Sequence, residues 1–256
     1  MNLLPPSRRG FSLVELSCSM GVGSIVLLLA ASMLGSSGDG YQKISSNIAN
    51  AREARAIISQ LDSDLTTAKF HPSQIIETPP SARPSHRLGF LSLQAPQAQS
   101  EKGRIGDLCA VNYYLADLQL GDQTVRGLMR GMRESADTYA ALKTESTGSL
   151  FEKQPERDEP IGFGVVSFEV QAKTKDAKGQ WIDWSSNTTN TSTAPEALAI
   201  RLVIASQSLC AKLKSSDDWA GTGANSKFLG KTEDESKNPN LETHEMLIRF
   251  GNHESP

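Results

Sequence analysis

An apolar run free of charge from Leu16 to Leu34, preceded by Arg8 and Arg9 and followed by Asp39, sets the strongest constraint on what this chain can become. As a helix rising 1.5 Å per residue it is roughly 28 Å long, close to the hydrocarbon thickness of a bilayer. It can span, and the basic flank predicts a cytoplasmic N-terminus with the bulk of the chain on the other side. Glu15, at the head of the run, is the anomaly. An unpaired charge at the bilayer centre costs about 2.5–3.5 kcal/mol on insertion scales, so Glu15 either reaches the headgroups from one turn inside or needs a partner.

The residues around it form a motif. Arg8-Arg9-Gly10 leads directly into Phe11-Ser12-Leu13-Val14-Glu15-Leu16. This resembles the processing site of type IV prepilins and type II secretion pseudopilins, in which a basic leader ends in Gly, the first mature residue is aromatic and the fifth is Glu. The resemblance implies a leader over residues 1–10, cleavage after Gly10 by a membrane peptidase, and methylation of the new amine of Phe11. It also implies a role for Glu15 as the assembly ion pair, meeting the amine of a neighbouring subunit. Gly10 suits a protease site because a small residue admits the backbone. A secretory signal peptide cut near Ala30-Ala31-Ser32 is the rival, but its apolar core would normally be about 7–15 residues. A plain uncleaved anchor leaves Gly10 and Glu15 unexplained.

The 256 residues suffice for a sizeable core, and a charged fraction of 21% is ordinary for a folded body. Net charge is −3, and loss of the two leader arginines takes it to −5. No basic cluster interleaved with aromatics lies outside the leader, so no nucleic-acid partner is expected. Three cysteines make no disulfide scaffold and lack zinc spacing. Cys109 and Cys210 lie at the ends of strand-like segments and would face an oxidising compartment, which makes them the candidate disulfide. The bond would close a loop of about 100 residues, worth roughly 4.7 kcal/mol in the chain-entropy account. Two buried free thiols are the alternative.

After the apolar run, Gly35, Gly38 and Gly40 mark close helix packing, a break, or a stretch that bends on assembly. An amphipathic helix then continues over residues 35–70, with Ile44, Ile48, Ala51, Ala54, Ile58, Leu61, Leu65 and Ala68 on one face. Pro72 and Pro79-Pro80 end it. Strand patterns follow at Leu88–Leu93, Leu108–Leu115, Ile161–Val170 (Val166, Phe168 and Val170 alternating), Leu198–Ile204 and Met246–Phe250. Lys175-Asp176-Ala177-Lys178-Gly179 reads as a hairpin turn. Trp181 and Trp184, three apart, fall on opposite faces of a strand, one for the core and one for a contact surface. The fold class is therefore α+β. A long N-terminal helix, membrane-spanning over 11–34, is laid on a mostly antiparallel sheet within a periplasmic domain of residues 71–256. Polar loops are expected near 127–160 and 211–245.

This order of elements, with Gln60–Leu65 ending the helix, a Tyr-rich strand at Val111–Leu115, Val166–Val170, the two tryptophans and Pro195 before Leu198–Ile204, resembles the J-type minor pseudopilins or the W-type minor pilins. The two polar segments depart from that layout and are similar to insertions in a divergent branch, such as Verru_Chthon cassette prepilin-like proteins. His71, His86, His244 and His253 are scattered without HExxH spacing, and no GxSxG or phosphate-cradling loop is present, so neither enzyme activity nor a cofactor or metal is expected. The positive run Met129–Arg133 reads as a solvated turn, and Asn187–Ser192 as a polar loop rather than a glycosylation site.

The expected function is architectural: a minor pilin or pseudopilin at or near the tip of a type II secretion pseudopilus or type IV pilus, single-pass in the inner membrane. The implied partners are a prepilin peptidase, other minor and major pilins or pseudopilins, the inner-membrane assembly platform and membrane lipid. A filament-displayed or membrane-anchored binding module is the second expectation, and a membrane-anchored enzyme the third.

Overall fold

The computed structural model describes residues 12–69, 75–94, 105–144, 147–184 and 195–249, with side chains for all of these except 35–47 and 49. Along it run α1 (Leu13–Thr66), β1 (Ala68–Lys69), β2 (Ile75–Glu77), β3 (Arg87–Leu93), β4 (Leu108–Leu120), β5 (Gln123–Arg133), α2 (Ser135–Lys143), β6 (Glu159–Phe163), β7 (Val165–Lys175), β8 (Trp181–Asp183), β9 (Ala197–Ala205), α3 (Gln207–Cys210), α4 (Ser216–Ala220) and β10 (Leu241–Arg249). Single 3-10 turns lie at Thr147–Phe151, Ser226–Phe228 and Thr232–Lys237. The chain divides into two units, Met1–Asn47 and Ile48–Pro256.

The first unit holds the apolar part of α1. Helix continues through Gly35, Gly38 and Gly40, where a break was one of the expectations. Each glycine weakens a helix by about 1 kcal/mol, but propagation from formed turns on both sides costs far less than starting a new helix.

The second unit is α+β, as expected, but with two antiparallel sheets rather than one. Six strands join in the order β1-β3-β4-β5-β6 with β2 also on β3, and four in the order β10-β9-β7-β8. Between them, with the end of α1, lies one core: Ala54, Ile57, Leu61 and Leu65 of the helix, Leu88, Phe90, Val111, Tyr113 and Leu128 of the larger sheet, and Phe168, Val170, Leu198, Ile200, Leu202 and Ile204 of the smaller. The alternation along Leu198–Ile204 delivers its four large residues to this core, as a period of two requires. On the helix, Ile57 takes the place expected of Ile58, which is only partly covered. Ile57 fits because residue 162 is glycine: a Cβ there would sit 2.3 Å from Ile57 Cδ1.

Several strand boundaries differ from the sequence reading. Ile161–Val170 is not one strand. Gly164, at φ +71°, turns the chain from β6 in the larger sheet to β7 in the smaller, a conformation that favours glycine. A bulge between Val165 and Ser167 then puts Val165 into the main core and Val166 on the opposite face. The segment 127–160 is not a polar loop. Its first residues complete β5, and α2 and the turn Thr147–Phe151 cover the back of the larger sheet with Leu150 and Phe151. Nor is Met129–Arg133 a solvated turn, since all but Met132 of these residues are buried. Trp184 packs against the main core and Trp181 stays at the surface, while the turn before β8 forms with Gly179 at φ +77°. Pro72 and Asn187–Ser192 lie outside the described residues.

The segment 211–245 is likewise ordered. Beside Leu209 of α3 it lays Leu213, Trp219 and Leu229 on Val125, Val166, Val203 and Ala205, and the Trp219 indole N–H donates to Thr124 O at 2.9 Å. Ser215 and Asp218 cap α4 reciprocally. Burial works upward on the Asp218 carboxyl, but N–H donors from Asn225 and Lys214, with Ser215, hold it down at about 2. From Leu241 the same segment becomes β10, paired with β9 along all nine of its residues.

Candidate functional site

The sequence places the chemistry of interest at the start of α1. Gly10 and Phe11 lie outside the described residues. Ser12 Oγ accepts from Glu15 N–H at 3.1 Å, and the Glu15 carboxylate accepts from Ser12 N–H at 3.2 Å. This is a capping box, and it satisfies two backbone donors that a helix start leaves orphaned. The negative carboxylate also suits the positive end of the helix dipole. The signal was present as Ser-x-x-Glu before an apolar run, but was read only as part of a processing motif.

Behind the cap, Leu13–Leu34 forms a 22-residue apolar helix, none of whose residues is buried. At 1.5 Å per residue it is roughly 33 Å long, enough to cross a hydrocarbon core of about 30 Å. Three of its serine hydroxyls are returned to the backbone. Ser17 donates to Leu13 O at 2.9 Å, Ser19 to Leu16 O at 2.9 Å and Ser24 to Met20 O at 2.8 Å, so their burial in lipid leaves no donor unsatisfied. Glu15 is then the one charged group in this helix segment.

Elsewhere among the described residues, three buried carboxylates bind arginines. Asp64 accepts from Arg130 Nε at 2.7 Å and Nη2 at 3.1 Å, from Gln94 at 2.9 Å and from the Tyr113 hydroxyl. Asp158 accepts from Arg133 and from the Tyr114 hydroxyl, both at 2.7 Å. Glu235 binds Arg83 and, at 3.0 Å, Arg201. Burial first, then the Asp64 charge, pushes the Tyr113 hydroxyl well up, and burial with the Asp158 hydrogen bond does the same for Tyr114. These joints tie distant segments together, and Arg83 Nε and Arg133 Nε are left buried without a hydrogen-bond partner among the described residues. Among the described residues no group of His, Cys, Asp and Glu is arranged to hold a metal ion.

The candidate disulfide is absent: Cys109 and Cys210 are both free. Cys109 is buried on β4 opposite Ser92, whereas Cys210 ends α3, with its Sγ toward Ala205 O at 3.6 Å and close against Gly164. The two strand-like segments end in different sheets, which linear position does not reveal. Burial and, behind it, the Glu53 charge push the Cys210 thiol up to about 11, and burial with the Glu134 charge raises Cys109. In a Cys18→Ala background both thiols should resist maleimide at mildly alkaline pH while folded and both should react after unfolding without reductant. Failure of either to react once unfolded would restore the disulfide.

Residues 5–31 match the family model described as the prokaryotic N-terminal methylation motif. This match supports a prepilin-type family. It spans residues 5–10, the Ser12–Glu15 cap and most of the apolar helix, so the sequence motif and the membrane-length helix overlap. No curated protein matches the chain. The single apolar helix fits the single-pass anchor of a prepilin, and the motif supports a type IV pilin-like or pseudopilin-like prepilin.

Proposed function

We propose that this chain is a minor subunit of a type II secretion pseudopilus or type IV pilus. It is made as a prepilin, cleaved after Gly10, methylated at Phe11, and drawn through its N-terminal helix into a filament at or near the tip. The observation that carries this is a membrane-length helix, apolar throughout except for one carboxylate at its head, most of which lies inside the matched methylation motif. The order of elements in the second unit, similar to the J-type and W-type minor subunits, supports the minor role.

Such a subunit works mechanically and needs no active site of its own. Its partners are a prepilin peptidase, other minor and major pilins or pseudopilins, the assembly platform and the lipid of the inner membrane, with the second unit on the periplasmic side. Mass spectrometry of the mature protein from its own host should find an N-terminus at Phe11 carrying a methyl group. Gly10→Leu should retain the leader. An N-terminus near Met33 would instead establish a secretory signal peptide.

A further inference from the structure

The edges of the two sheets are not alike. On the larger sheet β1 and β2 are two and three residues long, and β6 is a five-residue strand with Pro160 and an irregular register, whose Phe163 N–H donates to the Glu53 carboxylate. On the smaller sheet β8 has three residues, and beyond it Pro84 O and His86 N–H bond Phe168 on the same flank of β7. Short, bulged or proline-bearing edges are how sheets avoid unwanted pairing. β10 has none of these devices. It runs for nine residues, without proline, in unbroken register with β9.

Parity decides which of its backbone groups are spare. Asn240 O accepts from Ser206 N–H at 2.8 Å, so bonding to β9 recurs at every second residue, Glu242, His244, Met246 and Ile248. The N–H and C=O groups of Thr243, Glu245 and Leu247 therefore point away from β9, and among the described residues no backbone group bonds them. Glu245 and Leu247 are both exposed.

The side chains beside this edge have an acidic surplus. Arg201 is shared by Glu169, Glu235 and Glu245, Glu235 also holds Arg83, and Glu242 lies 3.3 Å from His244. Four carboxylates thus stand against two guanidiniums and one imidazole, and Glu245 is the most exposed of the four at 72%. Arg249 does not redress this, because its guanidinium lies back over the sheet, 5.4 Å from the Trp181 ring centroid. We propose that β10 is a docking edge for an extended segment of another protein, which adds as a further strand with Lys or Arg opposite Glu245 and an aliphatic residue opposite Leu247. Backbone bonds to Thr243, Glu245 and Leu247 hold the segment, and the charge pair selects it. Residues 243, 245 and 247 share one face, so the partner reads as a period of two. A second β10 fits poorly, since it brings its own Glu242 and Glu245 to the same acidic edge. The proposal goes beyond the filament reading and does not depend on it.

The test titrates the full chain, in an uncharged detergent, with synthetic heptapeptides that carry Val two places either side of a central Lys, Arg or Glu and Thr elsewhere. The Lys and Arg peptides should bind saturably and the Glu peptide about tenfold more weakly, and Glu245→Lys should reverse that order. Leu247→Pro should abolish binding, because it removes an N–H that faces outward and none that bonds β9, a position where an edge strand accepts proline. N-methylation of the peptide amides that face β10 should do the same with the protein unaltered, so the result does not hang on how the proline variant folds. Absence of saturable binding by both basic peptides overturns the proposal. So does binding that survives N-methylation, which would leave charge attraction alone, or self-association of the chain that Leu247→Pro removes, which would put a second copy on this edge.

Discussion

Replacing Glu15 by leucine is expected to leave a protein that still inserts and is still cleaved, yet is missing from assembled filaments. Cleavage would put a positive amine on Phe11 at the head of the helix, and Glu15 is the one negative charge in the segment Leu13–Leu34. In a low-dielectric filament core, a Glu15 carboxylate approaching a neighbour's amine offsets much of the cost of burying either charge and fixes the axial register between subunits. Methylation keeps that positive charge. If the helix were only an anchor, removing a charge that costs about 2.5–3.5 kcal/mol at the bilayer centre would be neutral or mildly favourable. Fractionation of sheared filaments, or cross-linking to partner subunits, separates the two. Normal incorporation of the processed Glu15→Leu protein would sink the assembly role.

The capping box sharpens this experiment, because Glu15→Leu removes a helix cap as well as a charge. Glu15→Gln keeps an acceptor at the third helical position, where glutamine also serves in capping boxes, and loses only the charge. Ser12→Ala does the reverse, at a cost of about 1 kcal/mol in the first turn. The charge reading expects Glu15→Gln to fail like Glu15→Leu while Ser12→Ala assembles. Equal failure of Ser12→Ala would transfer the role to the cap.

What could be read from the linear chain followed local physics. The apolar run, the strand alternation at Leu198–Ile204 and the turn ending in Gly179 each announce themselves through near-neighbour spacing, and each is where it was expected. The split at Gly164 was hidden because an apolar run continues across it. Its residues go to two different sheets, a choice made by distant partners in β5 and β9. Polarity misled at residues 127–160 and 211–245 for a similar reason. Arg130, Arg133 and Glu235 look solvated in sequence, but each is buried against an opposite charge 25 or more positions away. At the head of α1 the signal was local, with Ser12 and Glu15 three apart, yet these residues are read from the sequence only as part of a processing motif and their mutual cap is missed.

Asp64→Ala should be among the most damaging single changes in the second unit, lowering its stability by about 3–5 kcal/mol. Asp64 is 1% exposed and Arg130 8%, so truncating the acid takes the paired carboxylate away from a guanidinium in the core beside Tyr113, whose hydroxyl loses its acceptor as well. Removing one member of a buried pair costs far more than the pair contributes over an apolar substitute, because the surviving charge has already lost its water. That asymmetry gives the control. Asp64→Leu combined with Arg130→Met takes out both charges, keeps the volume roughly constant, and should recover most of the loss. Asp64→Asn should fall between, since the amide oxygen can still accept from Gln94 or Tyr113 but no longer balances Arg130. Because Asp64 lies in the last turns of α1 and Arg130 in β5, the single variant should also free the helix end from the sheet. Amide exchange would report this as faster exchange over residues 57–66. Denaturant midpoints of the full chain in detergent measure the energies. A loss below about 1 kcal/mol for Asp64→Ala, or a double variant no more stable than the single, would show that the cluster is not the joint between helix and sheet.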